Sequence, residues 1–258
     1  TLVKLVKLIR EAGRLAEEEK LREGWSREDA YKYAEAVTTY LAIALCKYAD
    51  FNSFATRWNP GWLKFEESLS VRGIAMMWNW SDSSPFAQLT GAWYNNLRNI
   101  PEALNYLISA VSGSPSRVRV LLDDAAELSS LEGEKFDVVI TDPPYAYDVA
   151  YAELSDFCYV WLKRALSDVG EGELRPRFLP EAFFDEFGIE TPTQWERFAP
   201  KEVSENEGRW RHFKLRVAFA DLLARAFSNV LRFLKEDGLL VVYYVAKRPE
   251  SWAALVDA

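Results

Sequence analysis

Hydrophobic positions follow two different rhythms along the 258-residue chain. In the first half, Leu2, Leu5, Ile9, Ala12, Ala16 and Leu21 recur every three to five residues among charged positions, which predicts an amphipathic helix over about 2–22. Gly24 offers a stop. Ser26 then reads as an N-cap, with Glu28 and Asp29 in the first turn favourable to the helix dipole. A second helix, rich in Ala, Tyr and Leu, is expected to run to about Ala49. The stretch Asn52 to Trp62 carries Asn-Pro-Gly turn punctuation. Residues 63–79 and 92–110 read as further helices, separated by the polar stretch Ser81–Pro85.

From about residue 116 the pattern changes to short apolar runs. Arg117–Leu122 (RVRVLL) alternates and is rich in β-branched residues, which predicts a strand ending at Asp123-Asp124. Phe136–Thr141 (FDVVIT) is a short apolar run of the sort found in buried parallel strands. Ala152–Leu166 reads as a helix. Residues 167–209, with four prolines and many acids, read as an inserted loop region outside the core. Trp210–Lys235 reads as one long helix, and Leu239–Ala246 (LLVVYYVA) as another buried strand. Strands separated by helices imply crossover connections and a parallel sheet. The expectation is therefore a helical lobe over 1–115 and an α/β domain over 116–258, with the 167–209 loop insertion inside it.

Composition narrows the class. Hydrophobic residues make up 49% and aromatics 14% of the chain, which excludes global disorder. The longest apolar stretch, Ala36 to Cys46, is about half of the roughly 20 residues a spanning helix needs, so no membrane association is expected. Two cysteines and one histidine are too few for a disulfide framework or a Cys/His zinc site; no metal is expected, and the reduced, cytoplasmic compartment fits. The net charge of −8 is unevenly spread: residues 121–166 carry 10 acidic and 3 basic groups, and residues 167–209 carry 11 and 5.

The segment with a chemical signature is Asp142-Pro143-Pro144-Tyr145, directly after FDVVIT. Ligands of open parallel sheets bind at the carboxyl ends of strands, where this loop falls. Consecutive prolines fix φ and remove two backbone donors while keeping two carbonyl acceptors. With the Asp142 carboxylate they make a cluster of acceptors, and Tyr145 adds a flat aromatic face. Such a loop suits a planar ring bearing an exocyclic amine. The plainer alternative is a Pro-rich turn with a solvent-facing tyrosine.

This loop resembles the signature of the amino-methyltransferases, which methylate exocyclic nitrogens with S-adenosylmethionine; the variant beginning with Asp is most similar to the adenine-N6 DNA enzymes. The run TDPPYAYDVAYAELSDFCYVWLKRAL (141–166) resembles a family of large archaeal and bacterial adenine-specific DNA methylases. The pieces ADFNS (49–53), RWNP (57–60) and FSNVLRFLKEDGLLVVYYVAK (227–247) are similar to the same family. The resemblance implies a partial Rossmann-like S-adenosylmethionine-dependent methyltransferase fold. It further implies that Asp142, Pro143, Pro144 and Tyr145 hold a target base flipped out of duplex DNA. Asp124, or its neighbour Asp123, falls where such enzymes place an acid near the cofactor's adenine; a helix N-cap is the alternative for Asp123. RNA or a protein glutamine as substrate, and a non-catalytic assembly module, are the other readings.

The cofactor loop of this fold, a strand followed by a Gly-rich turn and a helix, has no match. Of the twelve glycines only Gly170 and Gly172 have a suitable spacing, and they follow a helix in an acidic loop. The expectation is thus the carboxyl-terminal part of a larger methylase, or one subunit of a split one. An N-terminal segment or partner would then supply the Gly-rich loop. Trp58, Trp62, Trp78, Trp80 and Trp93 are expected in core or interface positions rather than as a base-stacking surface. Tyr151, Glu153, Ser155 and Asp156 are candidates to line the pocket. Arg209, Arg211, Lys214 and Arg216 read as a solvated helix face, and His212 as structural or exposed.

Overall fold

The computed structural model describes residues 1–69, 78, 80–145, 149–214, 218–246 and 249–257. It is a mixed α/β structure, about half helical, with one small parallel sheet. Two compact units emerge: Thr1–Ser114 with Leu154–Gln194, and Pro115–Glu153 with Trp195–Ala258.

The first unit is built on α1 (Leu2–Arg22) and α2 (Arg27–Asp50). The Ser26 hydroxyl caps α2 by accepting the Asp29 N–H at 3.1 Å. The helices approach closely at Gly13, where a Cβ would lie 2.3 Å from Thr38 Oγ1. A hairpin follows, β1 (Arg57–Asn59) paired antiparallel with β2 (Lys64–Glu66). The helix expected over 63–79 is therefore replaced by a strand at its start, and its 70–77 and 79 lie outside the described residues. Next is α3 (Trp93–Val111). The core joins Leu5, Val6 and Ile9 of α1 to Ala34, Ala42, Leu45 and Tyr48 of α2, and also takes in Phe178, Phe183 and Phe184. Those three phenylalanines correct the expectation that 167–209 stands outside the core.

The second unit contains β3 (Phe136–Thr141). Helix α4 (Tyr151–Leu166) begins here and continues into the first unit. Also in the first unit are the hairpin β4 (Asp168–Gly170) and β5 (Glu173–Arg175), and the short α5 (Pro180–Phe183). Back in the second unit, α6 (Trp195–Phe198), α7 (Glu207–Phe213) and α8 (Phe219–Phe233) precede β6 (Leu234–Val242) and α9 (Pro249–Asp257). The single long helix expected over 210–235 is two. The chain leaves α7 through Lys214, whose φ of 52° is left-handed and breaks the helical path.

Strands β3 and β6 pair in parallel, with Val138 opposite Leu239 and Thr141 opposite Val242. Side chains alternate across a sheet. Val242 and the following Tyr244 pack with Phe219 and Leu223 of α8. On the opposite face Ile140 is 64% and Leu239 58% exposed. The expected strand 117–122 does not form. A strand exists only where its backbone groups find a neighbouring strand, and Leu122 is 92% exposed.

Candidate active site

The Asp142–Tyr145 loop leaves the carboxyl end of β3, as its sequence position implies, and its first anchor is in the sheet. The Thr141 carbonyl accepts the Tyr243 N–H at 2.8 Å. Pro143 is buried, Pro144 and Tyr145 are half-buried, and Asp142 is exposed. The Tyr145 hydroxyl donates to Asp142 Oδ1 at 2.7 Å. That bond is the main reason the phenol is held above its ordinary range. The Tyr145 ring stands edge-on to Tyr244, with centroids 5.4 Å apart at 87°, and Tyr244 is edge-on to Trp252 at 5.2 Å. A carboxylate offers about four lone-pair sites. The tyrosine occupies one, and among the described residues Oδ2 accepts no hydrogen bond.

The second anchor is at the start of α4, and sequence reasoning missed its centre. Arg209 is only 5% exposed, not part of a solvated face. Its Nε donates to Glu153 Oε1 at 2.8 Å, and Nη2 also bonds Glu153 and reaches Glu202 at 3.0 Å. Nη1 donates to Ser204 Oγ at 3.0 Å. Glu202 in turn accepts the Ala152 N–H at 2.7 Å, satisfying one of the open donors at the helix start. The Trp195 indole completes the cluster by donating to Glu153 at 3.0 Å. Burial pushes the Glu153 carboxyl up, but the Arg209 and Trp195 donors outweigh it and hold the group below its ordinary value. The signal available in the sequence was weak, because Arg209 lies 56 residues from Glu153.

Asp123 and Asp124 stand in a separate turn. Asp123 accepts the Ser130 N–H at 2.7 Å, the chief reason its carboxyl is held low, and the Asp124 N–H at 2.8 Å. Asp124 accepts the Ala126 N–H at 2.9 Å and pairs with Lys201 at 2.9 Å. Burial raises its pKa, and these two donors bring it below the ordinary value. Among the described residues no hydrogen bond or ion pair joins this turn to Asp142 or Tyr145. Gly170 and Gly172 flank Glu171 in the tight β4–β5 turn, with Glu171 at φ 55° and Gly172 at φ 87°, a hairpin rather than a strand-to-helix cradle.

Of the other candidates, Asp156 accepts from the Thr193 hydroxyl, and Tyr151 is exposed. His212 packs edge-on against Trp195 at 5.0 Å. Arg216 lies outside the described residues. Of the five tryptophans expected in core or interface positions, Trp58, Trp62, Trp78 and Trp80 are exposed and so stand outside a core, and Trp93 packs against one. Among the described residues no cluster of His, Cys, Asp and Glu is suited to a metal ion, and no helix is long and apolar enough to cross a membrane.

Searches of protein-family models, curated proteins and solved structures find no match to this chain.

Proposed function

We propose that the Asp142–Tyr145 loop is the amine-acceptor site of an S-adenosylmethionine-dependent methyltransferase, acting on adenine N6 in DNA. The observation that carries the reading is an exposed Asp142 carboxylate at the carboxyl end of a parallel strand, oriented by Tyr145 at 2.7 Å. Asp142 Oδ2 and the Pro143 carbonyl accept hydrogen bonds from the two amine N–H groups, while the ring stacks beside Tyr145. Drawing on those N–H bonds leaves more electron density on nitrogen, which raises its nucleophilicity. The Arg209 cluster holds the far end of the loop by securing the start of α4.

The residues present do not fit the cofactor. The Asp123 and Asp124 carboxylates are engaged within their own turn and by Lys201, and the only closely spaced glycines lie in a hairpin turn. This chain is therefore assigned the target-base half, and a partner segment or subunit bearing a Gly-rich loop the cofactor half. The apolar face carrying Ile140 and Leu239 agrees with that division, because parallel sheets are normally covered on both sides.

The same disengagement from cofactor favours a second reading, in which the chain alone is a binding or assembly module. The two are separated by assaying methyl transfer to duplex DNA, RNA and glutamine peptides by the protein purified with its associated polypeptides. Transfer to DNA that requires Asp142 supports the first. Transfer to RNA or peptide alone redirects the substrate, and no transfer to any acceptor leaves the module.

A further inference from the structure

A cavity of about 300 Å³ opens in the first unit. Its lining is strongly basic. Lys7, Arg10 and Arg14 come from one face of α1 at helical spacing, and Arg177 joins them from the segment after β5. Two acids, Glu11 and Asp168, also line it, which leaves two positive charges in excess.

The arginines are held in place by other contacts. Arg10 Nε donates to the Arg164 carbonyl at the end of α4 at 2.8 Å, and Nη2 donates to the same oxygen, leaving Nη1 without a partner among the described residues. Arg14 pairs with Glu11 within the helix. Arg177 pairs with Glu17, and its guanidinium lies 5.3 Å from the Tyr31 ring centroid and 4.8 Å from that of Phe178. Each guanidinium carries five donors, so these contacts fix its position without exhausting it. Lys7 has no ion pair among the described residues.

A second, independent observation lies in the same lining. Ser167 is 1% exposed, and its hydroxyl has no hydrogen-bond partner among the described residues. A buried hydroxyl left unpaired is costly, and an acceptor in the cavity removes that cost. A donor-rich, net-positive recess with a waiting hydroxyl matches one chemistry well: a tetrahedral dianion with several acceptor oxygens.

We propose that this cavity binds a phosphate group, presented by a small phosphorylated molecule of mononucleotide size or by the terminal phosphate of a nucleic acid. The volume sits at the lower end of small-molecule sites. Ala165 and Leu166 supply an apolar wall for the rest of the ligand. The assignment stands independently of the Asp142 loop.

The test is titration calorimetry of the full chain at constant ionic strength, with inorganic phosphate, a 5′-mononucleotide, and an oligonucleotide with and without its 5′-phosphate. Saturable phosphate binding is expected, weakened about tenfold or more in Lys7→Gln and in Ser167→Ala. Both variants leave the fixed arginines untouched. Lys4→Gln removes a nearby charge outside the cavity and should change nothing. The tighter of the mononucleotide and the 5′-phosphorylated oligonucleotide identifies the source. The proposal is overturned by absence of saturable phosphate binding, by Lys4→Gln weakening it as much as Lys7→Gln, or by the oligonucleotide without its phosphate binding as tightly as the tightest phosphorylated ligand.

Discussion

The Tyr145 hydroxyl and Asp142 Oδ1 are 2.7 Å apart, a hydrogen bond within the four-residue turn that ends β3. It keeps the phenol protonated beyond its usual range. A phenol whose folded pKa is raised contributes stability that is fully present below the unfolded value of about 10 and is lost as pH rises through the folded value. Spectrophotometric titration at alkaline pH, taken as the difference between wild type and Tyr145→Phe, should show this tyrosine ionising above that value. In Asp142→Ala the same phenol should return toward about 10. An unchanged midpoint in Asp142→Ala would show that the bond does not govern the tyrosine.

Arg209→Ala should destabilise the chain by about 2–3 kcal/mol, since it leaves the largely buried Glu202 and the partly exposed Glu153 without their cation. Denaturant unfolding measures this. Because Glu153 is held below its ordinary pKa in the folded state, its contribution is present above the unfolded value and is lost as pH falls through the folded one. The difference in stability between wild type and Arg209→Ala should therefore shrink on acidification. A loss under 1 kcal/mol at neutral pH would mean the cluster does not anchor α4.

Gly13→Ala tests the α1–α2 packing. The added methyl meets Thr38 Oγ1 at 2.3 Å and the Phe178 ring at 3.1 Å, and Thr38 is fully buried and bonded to the Ala34 carbonyl. Overpacking of this kind costs typically 1–3 kcal/mol, against a small gain in helix propensity. Thermal unfolding should register a net loss; a more stable variant would show that the helices separate easily.

Much of this arrangement was legible in the sequence where a local signal decides the structure. FDVVIT, β-branched at four of its six positions and followed by Asp-Pro-Pro, is β3 from end to end, but Asp137, Val138 and Ile140 are exposed where a buried strand is expected. Ser26 caps α2 as its place before two acids implies. The failures are non-local. RVRVLL has the alternation of a strand, yet pairing needs a neighbour that the described residues do not supply. The helix over 210–235 has continuous periodicity, and the left-handed Lys214 that divides it has no marker such as glycine. Arg209 looked like one cation among four on a surface; only the fold brings Glu153 and Glu202 to it. Likewise Phe178, Phe183 and Phe184, scattered through an acidic and proline-rich stretch, gave no periodic signal for the core they fill.

The division into base and cofactor halves predicts a weak isolated chain. Calorimetry with S-adenosylmethionine should give no saturable binding in the micromolar range, and addition of the segment or subunit carrying a Gly-rich turn should restore it. Tight binding by the chain alone would contradict the assignment of Asp123 and Asp124 to a self-contained turn.

The most direct measurement is transfer of a labelled methyl group to duplex DNA by the protein purified with its associated polypeptides, comparing wild type with Asp142→Ala. The account predicts that transfer appears on adenine N6 and is abolished in the variant, with DNA affinity largely kept. Turnover retained without the Asp142 carboxylate would contradict it.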